Sequence, residues 1–392
     1  MRDVFIVSAV RTPIGRFGGA FRLLGPAQVA APVMEAALEQ ANVSGAALDL
    51  IVFGNVLRGG HGQLVPRQAA QLAKIPSKVD AVALDMVCSS GMMSVITAGA
   101  LIQSGAADVV LAGGTESMSQ AQFALSSKAR WGYRYLPGPI QQVTDLLYRD
   151  GLSDPASGVA MGVQAERLAK DRGIRRALLD EVAALSHVRA AEAVRNGCFD
   201  EETVPVPTSE QIVVQDEGIR PDTTVEGLGA LEPVFEPGGV LTAGNSSQIS
   251  DGAAALLLAS DQAVQQHAML PLARIRGSAW AAGTWWRFIE APVEAARRAL
   301  RISGLDLQDI DLFENNEAFA LSTVLFEEQM GTDRETLNVH GGAIALGHPI
   351  GCSGARLIVT LLHALKRQEK VLGMAALCHG TGGGTAVVIE MQ

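Results

Sequence analysis

The 392-residue sequence predicts an α/β protein made of two similar halves, the first interrupted by a long loop-rich insertion. Three observations carry this. Short β-branched and apolar runs alternate with helical patterns at both ends of the chain. The second end repeats features of the first in the same order, a weak internal repeat. Between them, from residue 116 to 244, the alternation stops and turn residues accumulate. The expected boundaries are 1–115 with 245–270 for the N-terminal half, 116–244 for the insertion, and 271–392 for the C-terminal half.

Val4 to Val10 reads as a strand, followed by a turn-rich loop with Arg11 and Arg16. Ala27 to Gln40 is helical, Leu50 to Phe53 a short strand, and Pro66 to Leu72 a helix opened by proline. Ala81 to Leu84 is a strand that runs into Cys88, and Met92 to Gln103 is a helix leading out. Asp108 to Gly114 is a buried strand ending in glycines. In the insertion, Trp131 to Pro139 reads as irregular loop. Met161 to Lys170 and Asp180 to Arg195 read as helices, the second closed by Asn196-Gly197. From residue 271 the first pattern returns. Leu272 to Arg276 is a strand, Pro292 to Leu300 a helix, and Ile310 to Phe313 echoes Leu48 to Phe53. Gly351-Cys-Ser-Gly354 opens a helix to Leu365 as Cys88-Ser-Ser-Gly91 does, and Val371 to Cys378 echoes Val109 to Gly114.

Composition excludes several function classes. Hydrophobic residues make up 48% and charged residues 18%, which fits a folded globular chain rather than a disordered one. A net charge of −10 argues against general nucleic-acid binding. The four cysteines, Cys88, Cys198, Cys352 and Cys378, show no C-x-x-C spacing, so no metal site is expected and a reducing, cytoplasmic setting is. The first ten residues do not read as a secretory signal, and no uninterrupted apolar run is long enough to span a membrane.

The chemistry-bearing residues sit at strand and helix ends, where α/β proteins build sites. Cys88 stands where a strand turns into a helix, so free N–H groups and the helix dipole are expected to favour its thiolate. The alternative for a lone cysteine after a strand is a buried structural thiol. Three further stretches hold polar residues among small ones: Glu314 to Phe319, Gly341 to Gly354, and Cys378 to Gly384. Together they supply a second thiol, an imidazole, an amide and closely spaced backbone N–H groups.

Six motifs, in order over nearly the whole chain, now give a resemblance. They are Val87-Cys-Ser-Ser-Gly-Met92, Gly114-Thr-Glu-Ser-Met-Ser119, Thr242-Ala-Gly-Asn-Ser-Ser247 with Asp251-Gly252, Asn316-Glu-Ala-Phe319, Gly347-His-Pro-Ile-Gly-Cys-Ser-Gly354, and C-x-G-x-G at Cys378, Gly380 and Gly382. With these the sequence resembles the thiolase family. The resemblance implies a five-layered αβαβα sandwich of two similar halves with an inserted loop domain that binds coenzyme A. It implies that Cys88 is the acyl-accepting nucleophile, His348 the base that activates it, and Cys378 the second acid/base. Asn316, with His348, would hold an oxyanion-binding water, and the N–H groups of Cys88 and Gly380 would form a second oxyanion hole. Leu152, Met161, Phe235, Ala243, Ser247, Ala318 and Phe319 match pocket positions of short-chain members, and Arg220 is expected to face the coenzyme's phosphates.

The activity implied is the reversible condensation of two acetyl-CoA into acetoacetyl-CoA and CoA, as by an acetyl-CoA C-acetyltransferase. The rival reading is a degradative 3-ketoacyl-CoA thiolase of longer or broader chain specificity. A ketosynthase-like enzyme is opposed by Cys378 and Asn316-Glu-Ala-Phe319, and a dead acyl-CoA-binding subunit by the intact set of Cys88, Asn316, His348 and Cys378. Coenzyme A thioesters would be substrates and no separate cofactor is expected. A homo-oligomer, dimer or tetramer, acting in fatty acid metabolism completes the expectation. Two departures stand out. His379 occupies a position where thiolases usually carry an apolar residue, and Ala160-Met-Gly162 stands where many short-chain members have His-Met-Gly. Cys352, Cys198 and the remaining histidines are read as packing or surface residues.

Overall fold

The computed structural model describes residues 2–131 and 143–392; most of the loop expected at Trp131 to Pro139 lies outside the described residues. In chain order the core elements are β1 (Val4–Arg11), α1 (Pro26–Gln40), β2 (Leu50–Gly54), α2 (Val65–Leu72), β3 (Asp80–Leu84), α3 (Ser90–Ser104) and β4 (Val109–Ser117). The insertion contributes α4 (Met161–Arg172) and α5 (Arg176–Arg195). Then come β5 (Ser250–Ser260), β6 (Ala273–Ala282), α6 (Ala291–Ser303), β7 (Leu312–Asn315), α7 (Ala320–Met330), α8 (Ser353–Arg367), β8 (Leu372–His379) and β9 (Gly383–Met391).

The halves repeat strand by strand. In the first, the order is β3-β2-β4-β5-β1, with β3, β2 and β4 mutually parallel and β5 antiparallel to both neighbours. In the second, β6, β9, β8 and β7 follow with the same senses. A single parallel bridge, Phe313 to Leu337, stands in the place of β3. The two sheets join edge to edge where Phe5 and Ile6 of β1 meet Arg274 and Ala273 of β6.

Layering follows from side-chain period. β5 is buried along its whole length. Ala254, Leu256 and Leu258 face the inner helices, whereas Ala255, Leu257 and Ala259 face α1, the alternation a strand covered on both faces requires. α3 is apolar nearly all round, as a helix between two sheets should be. Met92, Val95, Ile96 and Ile102 pack with Leu357, Ile358 and Leu361 of α8 in one core. Deleting one such side chain, as in Ile102→Ala, should cost about 2–5 kcal/mol. α1 and α2 cover the first sheet, and α6 with α7 the second. The result is the αβαβα sandwich. The span Val87–Ser104 is long and apolar enough to cross a membrane by composition, but this is the helix held in the middle layer.

Two glycines set how close the halves come. A Cβ on Gly91 would meet the Ala355 nitrogen at 2.8 Å, and one on Gly354 the Met92 nitrogen at 2.4 Å. The N-termini of α3 and α8 therefore cross at backbone contact, bringing the Cys88 and His348 loops together.

Several boundaries differ from the sequence reading. α5 starts at Arg176, not Asp180, because Arg176 pairs with Asp180 one turn on at 2.7 Å. β4 runs on to Ser117 because β5 pairs with it as far as Asp251. β6 reaches Ala282 because β9 supplies partners to Gly383. The insertion is tied down by buried polar links. Glu166 accepts from the Val240 and Leu241 amides, Asn245 donates to Asp180 at 2.9 Å, and Arg11 bonds Glu202 and Asp216.

Candidate active site

The site lies at the C-terminal ends of β3 and β8 and is closed by the insertion. A cavity of about 1020 Å³ is lined by Cys88, His348, Cys378 and Gly380, with Leu152, Met161, Ser247, Ala318 and Phe319 among its walls. Nine of the thirteen expected site residues thus reach one space: Cys88, His348, Cys378, Gly380, Leu152, Met161, Ser247, Ala318 and Phe319. Asn316 sits behind His348, its amide Nδ2 3.4 Å from the imidazole Nε2. Its Oδ1 is buried without a partner among the described residues.

Cys88 ends a short turn after β3. Val87 before it has φ 51°, a left-handed conformation that a β-branched residue rarely adopts. Ser90 holds this turn, donating to the Val87 carbonyl at 2.6 Å and accepting from the Met86 amide at 2.8 Å. The N–H groups of Gly380 and of Cys88 itself face the sulfur. They pull the thiol down, as a helix start should. Burial is the larger effect, and with Glu116 and Asp85 nearby it pushes the thiol up to about 12. The expectation of a resting thiolate is therefore corrected: enclosure outweighs the N–H groups. Burial, and then the neighbouring Cys88, push Cys378 above the ordinary thiol range as well.

His348 follows Gly347, whose φ of 111° and close approach to Ser250 exclude a side chain. Its amide donates to the Gln248 carbonyl at 3.0 Å. Burial, and then Arg356, hold the imidazole down at about 3, so the ring is neutral at pH 7. Glu116 ties its loop to the first half. This buried carboxylate accepts from the Val56, Leu57 and Gly351 amides and from the Asn55 side chain, all between 2.8 and 3.1 Å.

Three expected contacts lie off the cavity wall. Phe235 stands behind it, edge-on to Phe319 at 5.9 Å between ring centres and pressed against Gly162. Ala243 is exposed in the turn that Asn245 builds with Thr242. Arg220 is exposed, with its amide donating to His187 at 3.2 Å. Spacing does not reveal which way such loop residues turn. Residues not singled out from sequence also reach the cavity: Arg58, Arg149, Phe288, Ile350 and Thr381. Ser353, bonded to His348 Nδ1, was hidden because a serine at a helix start reads as a cap. Among the described residues no His, Cys, Asp and Glu cluster could hold a metal ion.

Two thiols, a neutral imidazole and inward-facing N–H groups in one apolar cavity suit acyl transfer through a thioester. Comparison with known proteins agrees. The thiolase N-terminal domain model matches residues 4–262, and the thiolase C-terminal domain model residues 269–391. The chain belongs to the thiolase family. An acetyl-CoA acetyltransferase of Synechocystis sp. is 58% identical over 394 residues, covering 100% of both chains. The crystal structure of the Bacillus anthracis acetyl-CoA acetyltransferase superposes with a TM-score of 0.95 at 39% identity, covering 100% of this chain and 99% of that one. Human mitochondrial 3-ketoacyl-CoA thiolase in complex with CoA also superposes at 0.95, with 36% identity over 100% of this chain and 98% of that one.

Proposed function

We propose that the protein is an acetyl-CoA C-acetyltransferase, joining two acetyl-CoA into acetoacetyl-CoA and CoA and running the reverse thiolysis. The observation that carries the reading is the convergence of Cys88, His348, Cys378 and the Gly380 N–H on one cavity whose bulky walls include Leu152, Met161 and Phe319. The names of full-length relatives favour it too.

In this reading the Cys88 sulfur attacks the thioester carbon while His348 Nε2 takes its proton. The thioester oxygen gains negative charge, which the Cys88 and Gly380 N–H groups stabilise. The C–S bond to coenzyme A breaks, and the departing thiolate takes the proton of the Cys378 thiol, which leaves Cys378 as a thiolate while His348 keeps the Cys88 proton. Cys378, as thiolate, then removes a proton from the methyl group of the second acetyl-CoA. The carbanion attacks the acetyl-Cys88 carbonyl, the bond to sulfur breaks, the Cys88 sulfur takes its proton back from His348, and acetoacetyl-CoA leaves. Asn316 and His348 hold the water that stabilises the enolate oxygen. Because Cys88 rests as a thiol, its deprotonation accompanies attack rather than preceding it. A protonated Cys378 is the proton donor that the cleavage direction needs first.

The insertion is read as the coenzyme A site and Arg220 as a phosphate contact. We also read the protein as a cytoplasmic homo-oligomer, dimer or tetramer, with no cofactor beyond its thioester substrates. Four free cysteines fit that compartment. The deciding experiment is thiolysis across 3-ketoacyl-CoA chain lengths. The reading expects the highest kcat/KM for acetoacetyl-CoA. A higher value for 3-ketohexadecanoyl-CoA makes the enzyme a degradative 3-ketoacyl-CoA thiolase instead.

A further inference from the structure

We propose that His379 is a positioning residue whose imidazole clamps the Gly380 carbonyl, holding a strained turn so that the Gly380 N–H stays aimed at the Cys88 sulfur. The inference deepens the functional reading above and rests on it for its assay of turnover.

The turn joins β8 to β9. Cys378 pairs with Gly384 and His379 with Gly383, which leaves Gly380, Thr381 and Gly382 to reverse the chain. Two consecutive residues there are left-handed: Thr381 at φ 72° and Gly382 at φ 84°. Glycine takes that conformation freely. A β-branched threonine does not, and persists there only where its surroundings over-determine it. Gly380 and Thr381 both face the cavity, so the strained segment is the one that presents an N–H to the nucleophile.

His379 supplies the constraint. Its Nδ1 lies 2.6 Å from the Gly380 carbonyl oxygen. A carbonyl only accepts, so Nδ1 carries the proton. That bond fixes the peptide plane between Gly380 and Thr381. His379 is 7% exposed, and its Nε2 is buried with no partner among the described residues. Nε2 lies against Gly383, where a Cβ would stand 2.0 Å away. An apolar side chain would fill this space without leaving a nitrogen unsatisfied, so packing alone does not account for histidine. The bond to Gly380 does. Nor does the geometry suit His379 as a base: one nitrogen is engaged by Gly380, the other lies against Gly383, and the ring does not line the cavity.

The test compares wild type with His379→Ala, His379→Leu, His379→Asn, and His379→Ala combined with Thr381→Gly. The first readout is the pH dependence of Cys88 alkylation by iodoacetamide, followed by peptide mapping. The second is kcat and KM for acetoacetyl-CoA thiolysis. A misaimed N–H stabilises both the Cys88 thiolate and the oxyanion less well. His379→Ala should therefore shift the alkylation profile to higher pH and lower kcat about ten- to a hundredfold, with KM within about twofold. Asparagine, whose Nδ2 can take the place of Nδ1, should retain most of the activity. Thr381→Gly should recover at least about tenfold in the His379→Ala background, because glycine adopts φ near 72° without strain. A folded His379→Ala enzyme with unchanged alkylation and kcat overturns the proposal. So does a loss that Thr381→Gly leaves in place. Should His379→Ala not fold, a wild-type alkylation profile and kcat for His379→Asn support the clamp, and a loss as large as that of His379→Leu overturns it. If wild type cleaves no acetoacetyl-CoA, the functional reading has failed, and the alkylation profile alone decides the clamp.

Discussion

The imidazole Nδ1 of His348 lies 2.6 Å from the hydroxyl of Ser353, and that hydroxyl also reaches the Pro349 carbonyl at 2.9 Å. A hydroxyl has one proton to give, and the carbonyl can only accept. Ser353 therefore donates to Pro349 and accepts from His348, which assigns the proton to Nδ1. The lone pair is left on Nε2, the nitrogen beside Asn316. A residue at a helix start thus sets which face of the base is available for proton transfer.

Removing that hydroxyl should free the tautomer. Ser353→Ala leaves a buried donor unsatisfied, worth about 1–3 kcal/mol. Carried into the barrier, this predicts kcat for acetoacetyl-CoA thiolysis about ten- to a hundredfold lower with an unchanged fold. Ser353→Thr keeps the hydroxyl and should retain most of the activity. Equal rates for Ala and wild type would show that Ser353 only caps the helix.

Asn316 and His348 should not be equivalent. Asn316 is assigned to holding a polarised water, so Asn316→Ala should lower kcat about 10²–10³-fold. His348 is assigned both to that water and to the Cys88 proton, so His348→Ala should cost more. Steady-state thiolysis with both variants tests this, and equal mild losses would contradict the assignment.

Cys88 is held as a thiol, its pKa pushed up to about 12 mainly by burial. Its alkylation in the unliganded enzyme should keep accelerating as pH rises beyond 9, while Cys352 and Cys378, more deeply buried, lag behind. A rate that plateaus near neutral pH would mean a resting thiolate.

Acid stability should carry the signature of two buried neutral histidines. Burial and Arg220 hold His187 down at about 4, and burial and Arg356 hold His348 at about 3. Above about pH 6.5 neither group differs between folded and unfolded chains. Below it the unfolded chain takes up a proton that the folded chain refuses. Stability therefore falls as pH drops, by up to about 1.4 kcal/mol per pH unit per group, until the folded value is reached. His187→Gln should make the denaturation midpoint less sensitive to pH between about 6.5 and 4. An unchanged slope would show that His187 titrates normally.

Much of this was legible in the sequence, for identifiable reasons. The repeat was visible because Leu48 to Phe53 and Ile310 to Phe313 meet the same burial demand in the two halves. The site motifs were visible because Cys88, His348 and Cys378 each close an apolar run with small residues. What could not be read depends on conformation. Val87 and Thr381 are left-handed despite being β-branched, and no local propensity announces that. The directions of Arg220, Phe235 and Ala243 are set by tertiary contacts in the insertion. The Cys88 pKa could not be read because a helix start is a local property, whereas burial is set by Val56, Met118, Leu147 and Ile350 from distant parts of the chain.

The division of labour between the two thiols is the centre of the account, and intact-protein mass spectrometry after mixing with acetyl-CoA tests it most directly. Cys378→Ala should gain one acetyl group at Cys88 while neither condensing acetyl-CoA nor cleaving acetoacetyl-CoA, and Cys88→Ala should gain none. Acetylation of Cys88→Ala at Cys378, or near-normal turnover by Cys378→Ala, would contradict it.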